Sequence, residues 1–420
     1  MLLALFVTVV INYLDRTNIA IAAIDLTRSL GLSSVQMGLV FSAFAWSYSL
    51  CQIPGGILAD RIAPRILYPV LLGLWSLVTM LQGLAGSVLL LLVCRVLIGA
   101  FEAPSYPINN RVVTSWFSTR ERAGAIGFYT SGQFLGLAVL APVLVAFQAH
   151  FGWRCLFYAC GLLGLAWAGV WFAIYRDPQA DTRVSRTELE ALRASGAAVD
   201  WGGSRRKALL PSLKEIWSAF ANRRMRGVYL GQFCIGTVSI FFLTWFPTYL
   251  VQARGIAFDK VGFMAGVPFL CALAGVLLSG AISDWLVRRG VGAGIARKGP
   301  VITGILLSCL ILGALWAKSN DVALVLMSIA FFGNGMASIT WIFVSLLAPR
   351  DQLGLVGGVF NLVGGLSAAV TPTVIGVLVR AQDFSGALIY VTAVTLIGLA
   401  AYTFWVGPLD ERTESAKELD

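Results

Sequence analysis

Four charged side chains stand inside long apolar runs: Asp15 and Arg16 in the first run, Arg95 and Glu102 in a later one. At the centre of a bilayer each is unfavourable by a few kcal/mol on insertion scales unless it is paired or faces a wet cavity. Two acids and two bases sum to zero, so a cavity lined by all four could hold internal ion pairs. Arg95 and Glu102 are seven residues apart, nearly two helical turns, which puts them on one helix face about 10 Å apart along the axis. That spacing serves two separate contacts along a pathway. Two readings stand: permanent salt bridges that tie two helices together, or groups that bind an ion and exchange protons. An apolar pair would tie the helices with less desolvation, which favours the second.

Composition says which elements must position them. The chain has 420 residues, 58% hydrophobic and only 12% charged, with a mean hydropathy of +0.81. This excludes a soluble fold with a water-facing surface. A bilayer-crossing helix takes about 20 apolar residues, and twelve runs qualify: 2–24, 34–60, 66–84, 86–108, 121–148, 153–175, 225–251, 261–284, 299–317, 322–345, 354–379 and 386–407. The expected fold is an all-α membrane protein with twelve transmembrane helices in two six-helix bundles, 1–175 and 225–407. A polar linker at 176–224, with one amphipathic helix, joins them, and a polar tail fills 408–420. The first run contains Asn12, Tyr13, Asp15 and Arg16 and no small-residue cleavage site follows it, so it reads as a transmembrane helix and not as a signal peptide.

The linker is rich in Arg and Lys. If it is cytoplasmic, only Arg28, Arg154, Arg254, Lys260, Lys318 and Arg380 fall in the opposite loops. By the positive-inside rule both termini are then cytoplasmic, in a cell's inner (cytoplasmic) membrane. The net charge of +10 is thus an orientation signal and not a nucleic-acid footprint. His150 is the single histidine, and the seven cysteines show no zinc-type spacing, so no metal site is expected. Without a P-loop or a Gly-rich fingerprint after a strand, no cofactor is expected either, nor ATP-driven pumping. No nucleophile, base and metal set marks an enzyme.

A repeat separates the two halves. Gly55-Gly56-Ile57-Leu58-Ala59-Asp60-Arg61 follows the second run, and Gly280-Ala281-Ile282-Ser283-Asp284 leading to Arg288 follows the eighth. Glycine allows close helix approach, and an Asp at a helix end can make a charge contact that breaks during rocking. The alternative is a loop that only fixes topology. Occurring twice at equivalent places, the pattern resembles the loop motif of the major facilitator superfamily, in which Gly56, Asp60, Arg61, Asp284 and Arg288 would serve conformational change.

The second half carries neutral polar groups instead of charges: Gln232, Trp245, Tyr249, Ser338, Thr340, Trp341 and Asn361. A matching ligand has an anionic end and a polar, polyhydroxyl body. Each of these residues also has an ordinary helix-packing reading. Asn12-Tyr13-Leu14-Asp15-Arg16-Thr17-Asn18, Arg95 through Glu102-Ala103-Pro104 to Pro107, Trp245-Phe246-Pro247-Thr248-Tyr249, and Phe360-Asn361 ahead of Thr371-Pro372 resemble the anion:cation symporter branch of that superfamily, in particular its sugar-acid (galactonate-type) proton symporters. The resemblance implies import of a hexonate, hexarate or hexuronate with protons, by alternating access of a monomer in the lipid bilayer. It implies Asp15 and Glu102 as the protonatable pair, Arg95 as partner of ionised Asp15, and Arg16 as the grip on the substrate carboxylate. Substrate contacts would come from Tyr13, Tyr48, Gln133, Ser338, Thr340, Trp341 and Asn361. The chain departs from many sugar-acid members at Ser345-Leu346, where they carry Asp after the Ser, and at Gly365, where they carry a second Asn. Exchange of organic anions, or uptake of an aromatic or dicarboxylic acid, stays open as an alternative; a sensor would need a signalling domain larger than the linker or tail.

Overall fold

The computed structural model describes residues 1–118, 121–197, 199, 217, 220, 222–347 and 353–406; the rest of the linker and the tail 408–420 lie outside the described residues. The helices are α1 (Leu2–Leu30), α2 (Ser34–Arg61), α3 (Pro64–Gln82), α4 (Val88–Glu102), α5 (Ser105–Trp116), α6 (Arg122–Ile174), α7 (Arg186–Ala194), α8 (Arg223–Ile240), α9 (Phe246–Gln252), α10 (Phe258–Arg288), α11 (Ala293–Ser308), α12 (Asn320–Ala337), α13 (Trp341–Leu347), α14 (Leu353–Leu378) and α15 (Ser385–Ala400). No strand occurs among the described residues beyond one isolated bridge between Arg380 and Asp383.

Among the described residues, ten helices are long and apolar enough to cross a membrane. One of them, within α6, holds both the fifth and sixth runs, divided at Gly152, whose φ of 80° and ψ of 166° leave the helical region. Gly152 stands in open space, so glycine is needed there for backbone freedom and not for packing. The second run, α2, is long enough but carries Ser42, Ser47, Ser49, Gln52 and Asp60 and is less apolar than the others.

Proline sets the interruptions. Pro104 and Pro107 have no N–H to give to the carbonyls of Ala100 and Ala103, so the fourth run, expected as one helix, divides into α4 and α5. In the same way Pro247 opens α9 after a π-helical turn at Phe241–Trp245. The linker helix α7 begins with a capping box: Glu188 N–H donates to the Ser185 hydroxyl and the Glu188 carboxylate accepts from Ser185 N–H.

The chain clusters into two compact units. The first contains Met1–Ser33 and Leu39–Leu209; the second contains Ser34–Gly38 and Leu210–Asp420. In the first, Gly99 lets α4 ride on the α2 backbone: a methyl there would stand 3.1 Å from Tyr48 N and closer still to Phe44 O. This contact carries Arg95 and Glu102 up to the α2 side chains.

Candidate functional site

Within the first unit α1, α2 and α4 bring all four predicted charges together. Asp15, Arg95 and Glu102 are buried, and Glu102 has no exposure at all. Arg16 Nη2 and Nε donate to Glu102 Oε1 at 2.6 and 3.1 Å, while Glu102 Oε2 is buried without a partner. The Arg16 guanidinium carbon lies 4.7 Å from the ring centre of Tyr13, 5.1 Å from Phe44 and 5.0 Å from Tyr48. Rings so placed attract a cation through their negative faces and leave its N–H edge for carboxylates. Arg16 is thus held by three rings and one oxygen of a buried acid.

The pairing differs from the expected one. Arg95 does not meet the Asp15 carboxylate: its Nη1 reaches the Asp15 backbone carbonyl at 3.4 Å, and its guanidinium carbon stands 4.6 Å from the ring centre of Phe44. Asp15 Oδ1 instead accepts from Asn18 Nδ2 at 3.1 Å and from Thr79 Oγ1 of α3 at 3.2 Å. The cause is geometric. Asp15 and Arg16 are adjacent on one helix, so their side chains diverge by about 100°; Asp15 turns to α3 and Arg16 to α4. Both guanidiniums lie against the Phe44 ring; neither Phe44 nor Thr79 stands out in the sequence, and Asn18 does so only as the end of the α1 motif. Phe44 was legible only as the residue one turn before Tyr48, with which it stacks at 5.5 Å.

Two of the expected substrate contacts bond each other: Tyr13 OH donates to Gln133 Oε1 of α6 at 2.9 Å. In the second unit Ser338 and Thr340 form a 3-10 turn between α12 and α13. Thr340 is turned inward and donates to Gln232 Oε1 at 2.9 Å, and Ser338 donates to Gly335 O at 2.7 Å. Asn361 is exposed on α14. Trp341 opens α13; its side chain lies outside the described residues, as does that of Ser345. Trp245 donates to Pro372 O at 3.1 Å, and both it and Tyr249 are buried. Among the described residues no group of His, Cys, Asp and Glu has the make-up of a metal site.

The comparisons agree with this architecture. The family model described as Major Facilitator Superfamily matches residues 5–372. The chain belongs to the Major Facilitator Superfamily. It is therefore a multi-pass membrane transport protein and not an enzyme. It is 47% identical over 407 residues to a D-galactonate transporter of Escherichia coli O6:H1, covering 97% of this chain and 95% of that protein. It is 39% identical to a probable galactarate/D-glucarate transporter of Escherichia coli (strain K12), covering 97% and 94%. Among solved structures, a bacterial homologue of the human lysosomal transporter Spinster superposes with a TM-score of 0.77 at 19% identity, covering 96% and 95%; this likeness concerns the fold.

The superfamily loop motif needs one correction. Gly56 and Gly280, its glycines at equivalent positions, both face open space. Close approach belongs to Gly55, where a methyl would lie 2.8 Å from Pro104 Cγ and 3.2 Å from the Pro104 backbone. The equivalent Ser279 is buried and donates to Met336 O at 2.7 Å. Adjacent glycines point about 100° apart on a helix, and the sequence alone does not say which one meets the neighbour. Arg61, Asp284 and Arg288 are exposed. The carbonyls of Ala59 and Ile62 near the motif accept from buried Arg111 of α5.

Outside the membrane-spanning segments, Arg183 donates to both Asp181 oxygens, at 2.9 and 2.7 Å. These hydrogen bonds hold the Asp181 carboxyl down at about 2.

Proposed function

We propose that this chain is a proton-coupled importer of a sugar-acid anion, working as a monomer by alternating access in the inner membrane with both termini in the cytoplasm. The observation that carries the reading is the Arg16–Glu102 pair, a cation fixed by three rings whose donor edge is occupied by a buried acid. A substrate carboxylate needs that edge. Protonating Glu102 weakens its hold, since a neutral acid accepts far less strongly from a guanidinium than a carboxylate does. Proton uptake and anion binding then favour one another, and that mutual preference is the thermodynamic content of symport.

Asp15 is the second protonation site. Its carboxylate is stabilised by Asn18 and Thr79, and Arg95 lies against the same turn of α1. Because the acids and cations interact closely, they titrate as a set. Tyr13, Tyr48 and Gln133 border the Arg16 end, and Ser338, Thr340, Trp341 and Asn361 offer neutral groups for a polyhydroxyl body. The relatives named as transporters of D-galactonate and of galactarate/D-glucarate support this substrate class. The same reading keeps 1–175 and 225–407 as the two moving bundles, and Gly56, Asp60, Arg61, Asp284 and Arg288 as the loops that reset between movements.

The test is uptake of radiolabelled D-galactonate into proteoliposomes under an imposed inward pH gradient. Accumulation that collapses on adding a protonophore is the expected result. Uptake that only equilibrates, or that proceeds unchanged without a gradient, overturns the coupling. A thermal-shift panel of aldonates, aldarates, uronates and aromatic carboxylates at two pH values checks the substrate class, with the strongest shift expected from a sugar acid at the lower pH.

A further inference from the structure

Beyond the pair with Arg16, Glu102 begins a row of buried polar atoms that the mechanism above does not use. Glu102, Ser105 and Asn109 are spaced i, i+3 and i+7, one face carried across the α4–α5 break. Glu102 Oε2, Ser105 Oγ and Asn109 Nδ2 are all buried without a hydrogen bond of ordinary geometry, in residues of no more than 1% exposure, and Ser105 interacts with the Tyr68 hydroxyl. Tyr68 of α3, also 1% exposed, closes the row by donating to Asn109 Oδ1 at 2.8 Å. Further along, the Tyr68 ring packs edge-on against Trp171, Trp171 stacks on Tyr175, and Tyr175 OH donates to half-buried Asp177 at 2.9 Å, where α6 has ended and the linker begins.

A buried polar atom with no partner is unfavourable by about 1–3 kcal/mol. What sets these three apart from the other unpartnered polar atoms of the unit is their continuity: they stand on successive turns of one face and lead away from the charged site. Internal water is the usual partner of such groups, making about three hydrogen bonds each time. The row supplies the mixture water needs: a carboxylate oxygen to accept, an amide N–H to donate, and hydroxyls that do both.

Building on the proposed symport, we propose that Glu102, Ser105, Asn109 and Tyr68 bind a file of internal water and that the proton leaves Glu102 for the cytoplasm along it, inside the first unit. The O–H bond at Glu102 breaks, a water of the file takes the proton, and a proton is released from the file at its Tyr68 end. The carboxylate left behind is the one Arg16 holds. Asp15, Arg16 and Arg95 are the charged groups facing Glu102, and Tyr13, Tyr48, Tyr68 and Tyr106 are the titratable ones. Arg16 holds Glu102 through Oε1, which leaves Oε2 free toward the row, and buried Arg111 of α5 is the cation nearest Tyr175 and Asp177 at the other end. The substrate does not travel this way, which separates the route of the proton from that of the anion.

Two measurements test the file. Hydroxyl-radical footprinting of the wild-type protein by X-ray radiolysis of its own water should modify Tyr68 despite its burial; a Tyr68 as inert as Phe343, fully buried in the apolar core of the second unit, overturns the file. In proteoliposomes, Ser105→Ala combined with Tyr68→Phe should lower pH-driven D-galactonate uptake at least tenfold while D-galactonate affinity and exchange stay within twofold. Driven uptake within twofold of wild type overturns the proposal. Glu102→Gln distinguishes this failure from a failure of the symport reading. If Glu102→Gln abolishes driven accumulation while the double variant is normal, only the water file falls. If Glu102→Gln accumulates substrate like wild type, Glu102 carries no coupled proton and both fall.

Discussion

The two units solve the problem of polar groups in a membrane interior in opposite ways. In the second unit neutral groups bond one another: Gln232 accepts from Thr340, Ser239 from Asn334 at 2.7 Å, Thr237 from Thr371 at 3.2 Å, and the Met336 carbonyl from Ser279, while the unpartnered side-chain atoms there are the scattered hydroxyls of Thr248, Ser328 and Tyr402 and Nε of Arg297. In the first unit the interior holds three charged residues at no more than 4% exposure, and atoms of Asn12, Asn18, Gln82, Arg95, Glu102, Ser105 and Asn109 stay without partners. A satisfied network rigidifies, whereas a half-satisfied one has free donors and acceptors that can take a proton, a water or an anion. On the proposed reading, the difference assigns the change of protonation state to the first unit, where the buried charges are, and not to the second.

The largest expected effect comes from removing the caged cation. Arg16→Ala leaves Glu102 buried and uncompensated, a loss of about 3–5 kcal/mol, and should weaken D-galactonate affinity at least about 100-fold; unchanged affinity by calorimetry would mean that the anion site lies elsewhere. Arg16→Lys should rescue poorly, because it lacks the planar fork. Asp15→Asn should bring the accumulation ratio down to about one, since the roughly 2.3 kcal/mol per charge per 100 mV is no longer coupled, while exchange across the bilayer remains measurable. Full accumulation by that variant would break the assignment of proton work to the first unit. In the second unit Thr340→Val removes one neutral hydrogen bond, so a change of about five- to tenfold in affinity is the most expected. An effect as large as that of Arg16→Ala would erase the contrast.

Smaller effects sharpen the comparison of equivalent positions. Gly55→Ala forces a methyl onto Pro104 and should lower thermal stability by about 1–3 kcal/mol, whereas Gly56→Ala and Gly280→Ala, in open space, should fall within the usual range of about half a kcal/mol for surface changes. The smallest effect belongs to Asp181. Its carboxyl is held at about 2, below its ordinary value, so its contribution is present above the carboxylate range and is lost only as pH falls through about 2. Asp181→Asn should therefore leave the pH profile of uptake unchanged. A shifted profile would place titration outside the membrane interior.

The sequence made the four charges legible because ionisable residues in apolar runs are rare, but the run 86–108 reads as one helix and hides the α4–α5 break at Pro104. It did not reveal the partners. Periodicity says which face a residue occupies but not which neighbouring helix faces it, so Arg95 was expected on the Asp15 carboxylate and Arg16 was expected free for the substrate. Phe44, Thr79 and Tyr68 are residues of unremarked type in ordinary helices, and only the packing of α1, α2, α3 and α4 gives them a role. Gly56 was the expected close contact and Gly55 makes it, a difference of one residue that no composition rule resolves.

The backbone at Gly152 decides something no side chain can. A continuous helix of the 53 residues of α6 would measure about 80 Å, against a hydrocarbon core of about 30 Å. One residue with a positive φ divides it into two crossings, and so sets the parity of the first half of the chain. An even number of crossings returns the chain to the side where it began; an odd number would leave it on the other. Gly152 is thus the residue at which the handedness of a single dihedral becomes the sidedness of a whole domain.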